Sequence, residues 1–130
     1  MILLDTHILL WLALDQDQLS KNARTAIREA RQQGEGIAVS DITLLELTTL
    51  WRKGRFRLSI SFESFLAEIE KRCVILPISS RACVPLLELP QDYPKDPADR
   101  IIAATALVEG LPLVTADREI RRSQVLNTIW

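Results

Sequence analysis

Four short apolar runs are spread along the chain, and a stretch of helical length follows each of them. A strand that is covered on both faces is apolar throughout rather than at alternate positions. Strands that alternate with helices are typical of a parallel sheet with helices on both sides. The sequence therefore predicts an α/β fold, and its last six residues, VLNTIW, predict a fifth strand at one edge. The four runs are ILLD (2–5), IAVS (37–40), CVILPI (73–78) and LPLVT (111–115).

Capping residues set the limits of the helices between these runs. Serines stand where N-caps are expected, because a short hydroxyl side chain accepts from the free N–H groups of the first turn. Glycines stand where helices end, because glycine adopts the left-handed conformation without strain. The predicted helices follow residue 6, Ser20 (to Gln33), Ser40 (to Lys53, before Gly54), Ser61, Ser80 (to about Leu89, where Pro85 indicates a kink or an earlier start) and the proline-rich stretch 90–97 (to Gly110).

Size and composition fit one globular domain over residues 1–130, since 48% of the residues are hydrophobic and 25% are charged. No apolar run reaches the length of about 18 to 20 residues that a membrane span needs. The first residues have no basic lead, so they do not predict a secretory signal. Cys73 and Cys83 match no metal-binding spacing. We expect both to be reduced core residues of a cytoplasmic protein.

An acidic residue interrupts the first apolar run, which reads MILLDTHILLWL. Burial of an ionised carboxylate such as Asp5 is costly unless something pairs with it. Three other acids are predicted near the same edge of the sheet, because the carboxyl ends of parallel strands meet there. Glu46 lies one and a half turns into the helix after the second strand, Asp99 lies in the first turn of a later helix, and Asp117 follows the fourth strand by two residues.

Each acid has a structural explanation as well as a functional one. Asp96, Pro97 and Asp99 have the order of a helix start, with Asp96 as N-cap. Asp117 is equally suited to cap a turn. For Asp5 the structural alternative is an ion pair with a distant arginine, for which Arg100 is the obvious candidate. Arg100 is also suited to neutralise Asp96 or Glu46, or to bind phosphate.

The functional explanation is a hard divalent cation. Clustered carboxylates repel one another, and Mg²⁺ or Mn²⁺ relieves that repulsion through oxygen ligands. The chain has one histidine, so a zinc set of cysteines and histidines is not indicated. A cation held by carboxylates activates water and stabilises the leaving oxygen of a phosphodiester without a side-chain nucleophile.

Four segments, LLDTHILLWL, VSDITLLELTTLWRKGRF, DPADRIIAATAL and GLPLVTADREI, resemble PIN-domain ribonucleases in order and spacing, specifically the VapC-type toxins of toxin–antitoxin pairs. The resemblance covers essentially the whole chain. It implies an α/β/α sandwich, cleavage of RNA with Mg²⁺ or Mn²⁺, homodimerisation, and inhibition by a cognate antitoxin. It further implies that Asp5, Glu46, Asp99 and Asp117 hold the metal, with Asp117 acting directly or through water. The alternative is a non-catalytic binding module on the same fold.

Substrate contacts are predicted at four residues. Arg55 belongs to the basic stretch RKGRFR (52–57), which suits a phosphate track on which Phe56 stacks with bases, although a solvated loop remains the alternative. Arg100 is the second basic candidate. Thr6 and Thr115 carry hydroxyls beside the acids and either bond to local backbone or orient a carboxylate.

Overall fold

Five parallel strands form a single sheet in the order β3-β2-β1-β4-β5. The structure is a computed structural model and describes residues 1–130. The strands are β1 (Ile2–Leu4), β2 (Ile37–Ser40), β3 (Val74–Leu76), β4 (Leu113–Val114) and β5 (Thr128–Ile129). The helices are α1 (Thr6–Leu14), α2 (Lys21–Gln32), α3 (Asp41–Arg52), α4 (Phe62–Arg72), α5 (Ser80–Cys83), α6 (Pro97–Glu109) and α7 (Arg118–Ser123), with 3-10 turns at Gln16–Gln18 and Val84–Glu88.

The three central strands β1, β2 and β4 are buried on both faces, and neighbouring residues of each strand point to opposite sides. The edge strand β3 was expected to be covered on both faces but is only partly buried, with Val74 44% exposed. In β1, Ile2 and Leu4 join a core with residues of α1, α2 and α4, whereas Leu3 joins a second core with residues of α6 and α7. In β4, Val114 and Leu113 divide between the two cores in the same way. The α/β/α sandwich expected from the sequence is therefore confirmed.

Most predicted helix limits agree with the observed caps. The hydroxyls of Ser20, Ser40 and Ser61 accept backbone N–H groups at the starts of α2, α3 and α4. Gly110 ends α6 with φ 64°, in the left-handed region that favours glycine. No helix is long and apolar enough to cross a membrane.

Two further predictions require correction. The helix expected from Ser80 to about Leu89 is capped by Ser79 and ends at Cys83. A 3-10 turn follows, with Pro85 near its start, because proline has no N–H to continue the α-helical hydrogen bonds. The expected burial of both cysteines is also wrong. Cys83 is exposed and Cys73 is only partly buried.

Strand β5 lies at the edge of the sheet, as expected, and pairs with β4. Beyond the paired residues, the backbone N–H of Thr115 donates to the carbonyl of Ile129 at 3.2 Å. Trp130 then packs its ring 6.0 Å from that of Trp11, and its carbonyl accepts from the side-chain amide of Asn22 at 3.1 Å. The last three residues are thus attached to β4, α1 and α2.

Candidate active site

The acidic residues predicted from the sequence come from neighbouring carboxyl ends of the sheet. Asp5 follows β1, and Asp117 follows β4, which pairs directly with β1. The backbone N–H of Asp5 donates to the carbonyl of Val114 at 3.0 Å, which extends the pairing to Asp5 itself. Glu46 lies on α3, which begins where β2 ends, and Asp99 lies in the first turn of α6. The topology therefore brings all four acids to one edge.

Asp5 is 8% exposed and has no cationic partner. Its Oδ1 accepts from the backbone N–H of Thr6 at 2.8 Å, as the N-cap of α1. Its Oδ2 accepts from the Thr115 hydroxyl at 2.7 Å. Burial raises the pKa of the Asp5 carboxyl above its ordinary value, although both hydrogen bonds act in the opposite direction. The structural alternative, an ion pair with Arg100, does not occur, because the Arg100 side chain bonds to the carbonyl of Tyr93 instead.

Glu46 is held by a short chain of hydroxyl groups. The Thr6 hydroxyl donates to Oε1 of Glu46. Because that hydroxyl has only one hydrogen, its 3.1 Å contact with the Thr43 hydroxyl requires Thr43 to be the donor. Burial raises the pKa of Glu46, and the charge of Asp5 raises it further. Thr6 thus orients two acids at once, through its N–H and its hydroxyl.

The pKa of the Asp99 carboxyl is raised from its ordinary value to about 7. Partial burial is the main cause, and the charges of Asp5, Asp96, Glu46 and Asp117 raise the pKa further. Each of these acids is therefore close enough to destabilise the ionised form of Asp99. The four predicted site residues share one electrostatic neighbourhood.

Asp96 and Asp117 are helix caps, as their structural explanations predicted. Oδ1 of Asp96 accepts from the N–H groups of Ala98 and Asp99 at 2.8 and 3.4 Å. Oδ1 of Asp117 accepts from those of Glu119 and Ile120 at 2.8 and 3.0 Å. The side chain of Asp117 is exposed, and its Oδ2 makes no hydrogen bond within the protein. Capping thus leaves one carboxylate oxygen of Asp117 available.

The donor set suits a hard cation in its chemistry. All the candidate ligands are carboxylate oxygens, which Mg²⁺ and Mn²⁺ prefer. Neither of the two salt bridges in the protein, Met1–Glu35 and Glu68–Arg72, involves a site acid. In the arrangement present, no three acidic, histidine or cysteine side chains converge closely enough to hold a metal ion. The acids are gathered into one region but not into a coordination sphere.

The predicted basic contacts lie outside this cluster or at its border. Arg55 is exposed and forms no ion pair, so its guanidinium is accessible. Phe56 is partly buried, and the centroid of its ring lies 5.4 Å from that of Trp51 and 5.9 Å from that of Phe65. Arg100 pairs with neither Asp96 nor Glu46, and its Nη2 donates to the carbonyl of Tyr93 at 3.1 Å.

Sequence reasoning missed Thr43 and gave no structural role to Tyr93. Thr43 precedes Glu46 by three residues on α3, and residues at that spacing share a helix face, so the signal was present in the sequence. Tyr93 lies in the proline-rich loop before α6 and is 1% exposed. Nothing in the local pattern predicts that a loop residue is among the most buried side chains of the protein.

Comparison with known proteins gives matches over nearly the whole chain. The PIN domain family model matches residues 2–125. Ribonuclease VapC22 of Mycobacterium tuberculosis (strain ATCC 25618 / H37Rv) is 35% identical over 131 residues, which cover 99% of this chain and 98% of that protein.

Solved structures with the same fold include VapBC2 from Rickettsia felis bound to a DNA fragment of its promoter, with a TM-score of 0.72, 21% identity, and coverage of 98% of this chain and 97% of that one. DNA-bound VapBC from Salmonella typhimurium has a TM-score of 0.68 and 24% identity, with coverage of 98% and 97%. At these identities the likeness concerns the fold.

Proposed function

Because this chain belongs to the PIN-domain family and resembles its VapC-type members over nearly its whole length, we propose that it is a metal-dependent endoribonuclease. The reaction is hydrolysis of RNA phosphodiester bonds. The observation that carries the proposal is the state of Asp5, a buried carboxylate beside other acids that has only hydroxyl and N–H donors as partners. A purely structural site would be expected to supply a basic partner.

Asp5, Glu46 and Asp99 would hold Mg²⁺ or Mn²⁺, and Asp117 would complete the set directly or through a water molecule. When bound, such an ion supplies Lewis-acid activation of the phosphodiester and of the attacking water. Its positive charge would also offset the repulsion from neighbouring acids, which adds to burial in raising the pKa of Asp99. A divalent cation would likewise favour the ionised forms of Asp5 and Glu46, whose pKa values burial raises.

Three threonines orient these carboxylates through hydrogen bonds. Thr115 fixes one oxygen of Asp5, and the Thr6 N–H fixes the other. The Thr43 hydroxyl holds that of Thr6, which in turn holds Glu46. These contacts limit the rotation of both carboxylates, so less conformational freedom is lost when a cation binds. Arg55, exposed and unpaired, would bind the phosphate backbone of RNA.

The decisive experiment is incubation of the purified protein with a mixed RNA pool, with Mg²⁺, with Mn²⁺ and with excess chelator. We expect cleavage only with a divalent ion, and none by the Asp5→Asn or Glu46→Gln variants. Glu68→Gln is the matched control, because it neutralises an acid that pairs with Arg72 on the surface. Full wild-type cleavage in excess chelator, or by Asp5→Asn, would refute the metal-dependent mechanism.

We further propose that the protein acts as a toxin in the cytoplasm, as a homodimer, and that a cognate antitoxin inhibits it. The basis is its similarity to a VapC ribonuclease and to proteins solved as toxin–antitoxin complexes. Expression of the wild type should arrest bacterial growth, expression of Asp5→Asn should not, and co-expression of a candidate antitoxin should restore growth. Light scattering on the purified chain tests the dimer. Unimpaired growth with soluble, active wild-type protein would contradict the toxin assignment.

A further inference from the structure

Tyr93 is the only tyrosine of the chain, and its hydroxyl is unsatisfied. The residue is 1% exposed and belongs to the second core, which also contains Leu3 and Ile102. Its Oη is buried and has no hydrogen-bond partner. Buried tyrosine hydroxyls ordinarily find a partner, so an orphan of this kind calls for an explanation.

The backbone of Tyr93 is tied to the acidic site. Its N–H donates to the carbonyl of Pro90 at 3.0 Å, which closes a turn in the loop. Its carbonyl accepts from Nη2 of Arg100, the residue that follows Asp99 on α6. These two bonds fix the backbone of Tyr93 relative to the first turn of α6, where Asp99 lies.

Three acids of the site act electrostatically on the Tyr93 hydroxyl. Burial raises the pKa of Tyr93, and after burial the charge of Asp99 is the largest cause, followed by those of Asp5 and Asp117. The phenol therefore lies in the field of the acidic site and stays protonated, so it is a hydrogen-bond donor. An ionised carboxylate is an acceptor with room for several donors.

We propose that Tyr93 is a positioning residue of the acidic site, whose hydroxyl donates a hydrogen bond to the Asp99 carboxylate when that carboxylate turns toward a bound divalent cation. This inference rests on the proposed function. The bond would satisfy the orphan hydroxyl and fix the orientation of Asp99, as outer partners of metal ligands commonly do. Tyr93 is too buried to contact RNA, so it acts through Asp99 alone.

The test is calorimetric titration of Mn²⁺ into the wild type, Tyr93→Phe and Thr105→Val. We expect the affinity of Tyr93→Phe to fall by about tenfold, as is typical when an outer partner of a metal ligand is lost. Thr105→Val is the matched control and should bind like the wild type. It also removes a buried hydroxyl from the same region, but that hydroxyl donates at 2.8 Å to the carbonyl of Ile101.

Unfolding without metal separates positioning from packing. Phenylalanine keeps the ring and removes only a hydroxyl that lacks a partner, so Tyr93→Phe should be at least as stable as the wild type. At saturating Mn²⁺, kcat should fall while KM for RNA stays unchanged. Weaker Mn²⁺ binding together with lower metal-free stability would indicate a structural role and overturn the inference.

The two proposals fail in distinguishable ways. If the wild type binds no Mn²⁺ and cleaves no RNA, the proposed function is wrong and the role of Tyr93 is wrong with it. If the wild type binds and cleaves but Tyr93→Phe retains the same Mn²⁺ affinity, only the role of Tyr93 is wrong.

Discussion

The Thr115 hydroxyl donates a 2.7 Å hydrogen bond to Oδ2 of Asp5, although 110 positions separate the two residues in the chain. The contact crosses from the end of β4 to the end of β1, and these strands pair directly. The same hydroxyl oxygen accepts from the N–H of Asp117 at 3.2 Å. Thr115 therefore links two of the candidate metal ligands.

Replacement of Thr115 by valine tests this link. Valine has nearly the same shape but no hydroxyl, so Asp5 loses a donor that favours its ionised, correctly oriented form. We expect RNA cleavage to fall by about 10- to 100-fold, in proportion to weaker metal binding. Thr115→Ser, which keeps a hydroxyl, should recover most of the activity. Equal activity of Thr115→Val and the wild type at limiting Mn²⁺ would show that the Thr115 hydroxyl does not support metal binding by Asp5.

The pKa of Asp99 predicts a specific dependence of stability on pH. The ordinary value for this carboxyl is 3.8, and in the folded protein it is about 7. The folded state thus binds the proton more tightly than the unfolded state. The free energy of unfolding should therefore fall as the pH rises from about 4 to about 7 and show no further contribution from Asp99 above that range.

Urea unfolding in chelator, across this pH range, measures the effect. Asp5 and Glu46 contribute with the same sign, since their pKa values are also raised. Asp99→Asn cannot ionise, so the variant should lose less stability than the wild type over the same pH interval. An identical loss in both proteins would show that Asp99 is not perturbed as described.

Divalent cations should stabilise the folded protein. A ligand that binds only the folded state at about 100 times its Kd adds about 2.7 kcal/mol to the free energy of unfolding. The gain should be larger at about pH 8 than at about pH 6, because protons compete with the cation for the carboxylates. Thermal unfolding with and without Mn²⁺ measures it, and Asp5→Asn should show little gain. An equal gain in that variant would indicate binding elsewhere.

Arg55→Ala tests the predicted RNA contact without touching the acids. Loss of one phosphate contact with a single strand should lower the slope of log affinity against log salt by about 0.7. Binding is measured on the Asp5→Asn background, so that the RNA stays intact. Arg28→Ala on the exposed face of α2 is the control and should leave the slope unchanged. An unchanged slope for Arg55→Ala would show that Arg55 does not contact RNA and would favour the alternative, in which the basic stretch is a solvated loop.

The positions of the acids were predictable because each follows from local rules. An apolar run that ends in Asp5 indicates a buried strand, and parallel strands present their carboxyl ends at one edge. The edge position of β5 followed from its place at the end of the chain. The caps at Asp96 and Asp117 followed from helix-start patterns.

Long-range partners were not predictable in the same way. The alternative of an ion pair between Asp5 and Arg100 was one choice among many arginines. The Thr115 hydroxyl was a candidate for orienting a carboxylate, and strand pairing determines that this carboxylate is Asp5. The ring of Phe56 packs against aromatic neighbours that the loop sequence does not reveal. The burial of Tyr93 likewise depends on how the proline-rich loop folds over the second core.

Strand β5 supports the orientation of Asp5 from two strands away. Thr115 follows β4 directly, and its N–H donates to the carbonyl of Ile129, while Trp130 contacts α1 and α2. Separation of β5 from the sheet would leave β4 as an open edge and Thr115 without this bond. Fraying of one short edge strand would therefore loosen the hydroxyl that holds a buried carboxylate.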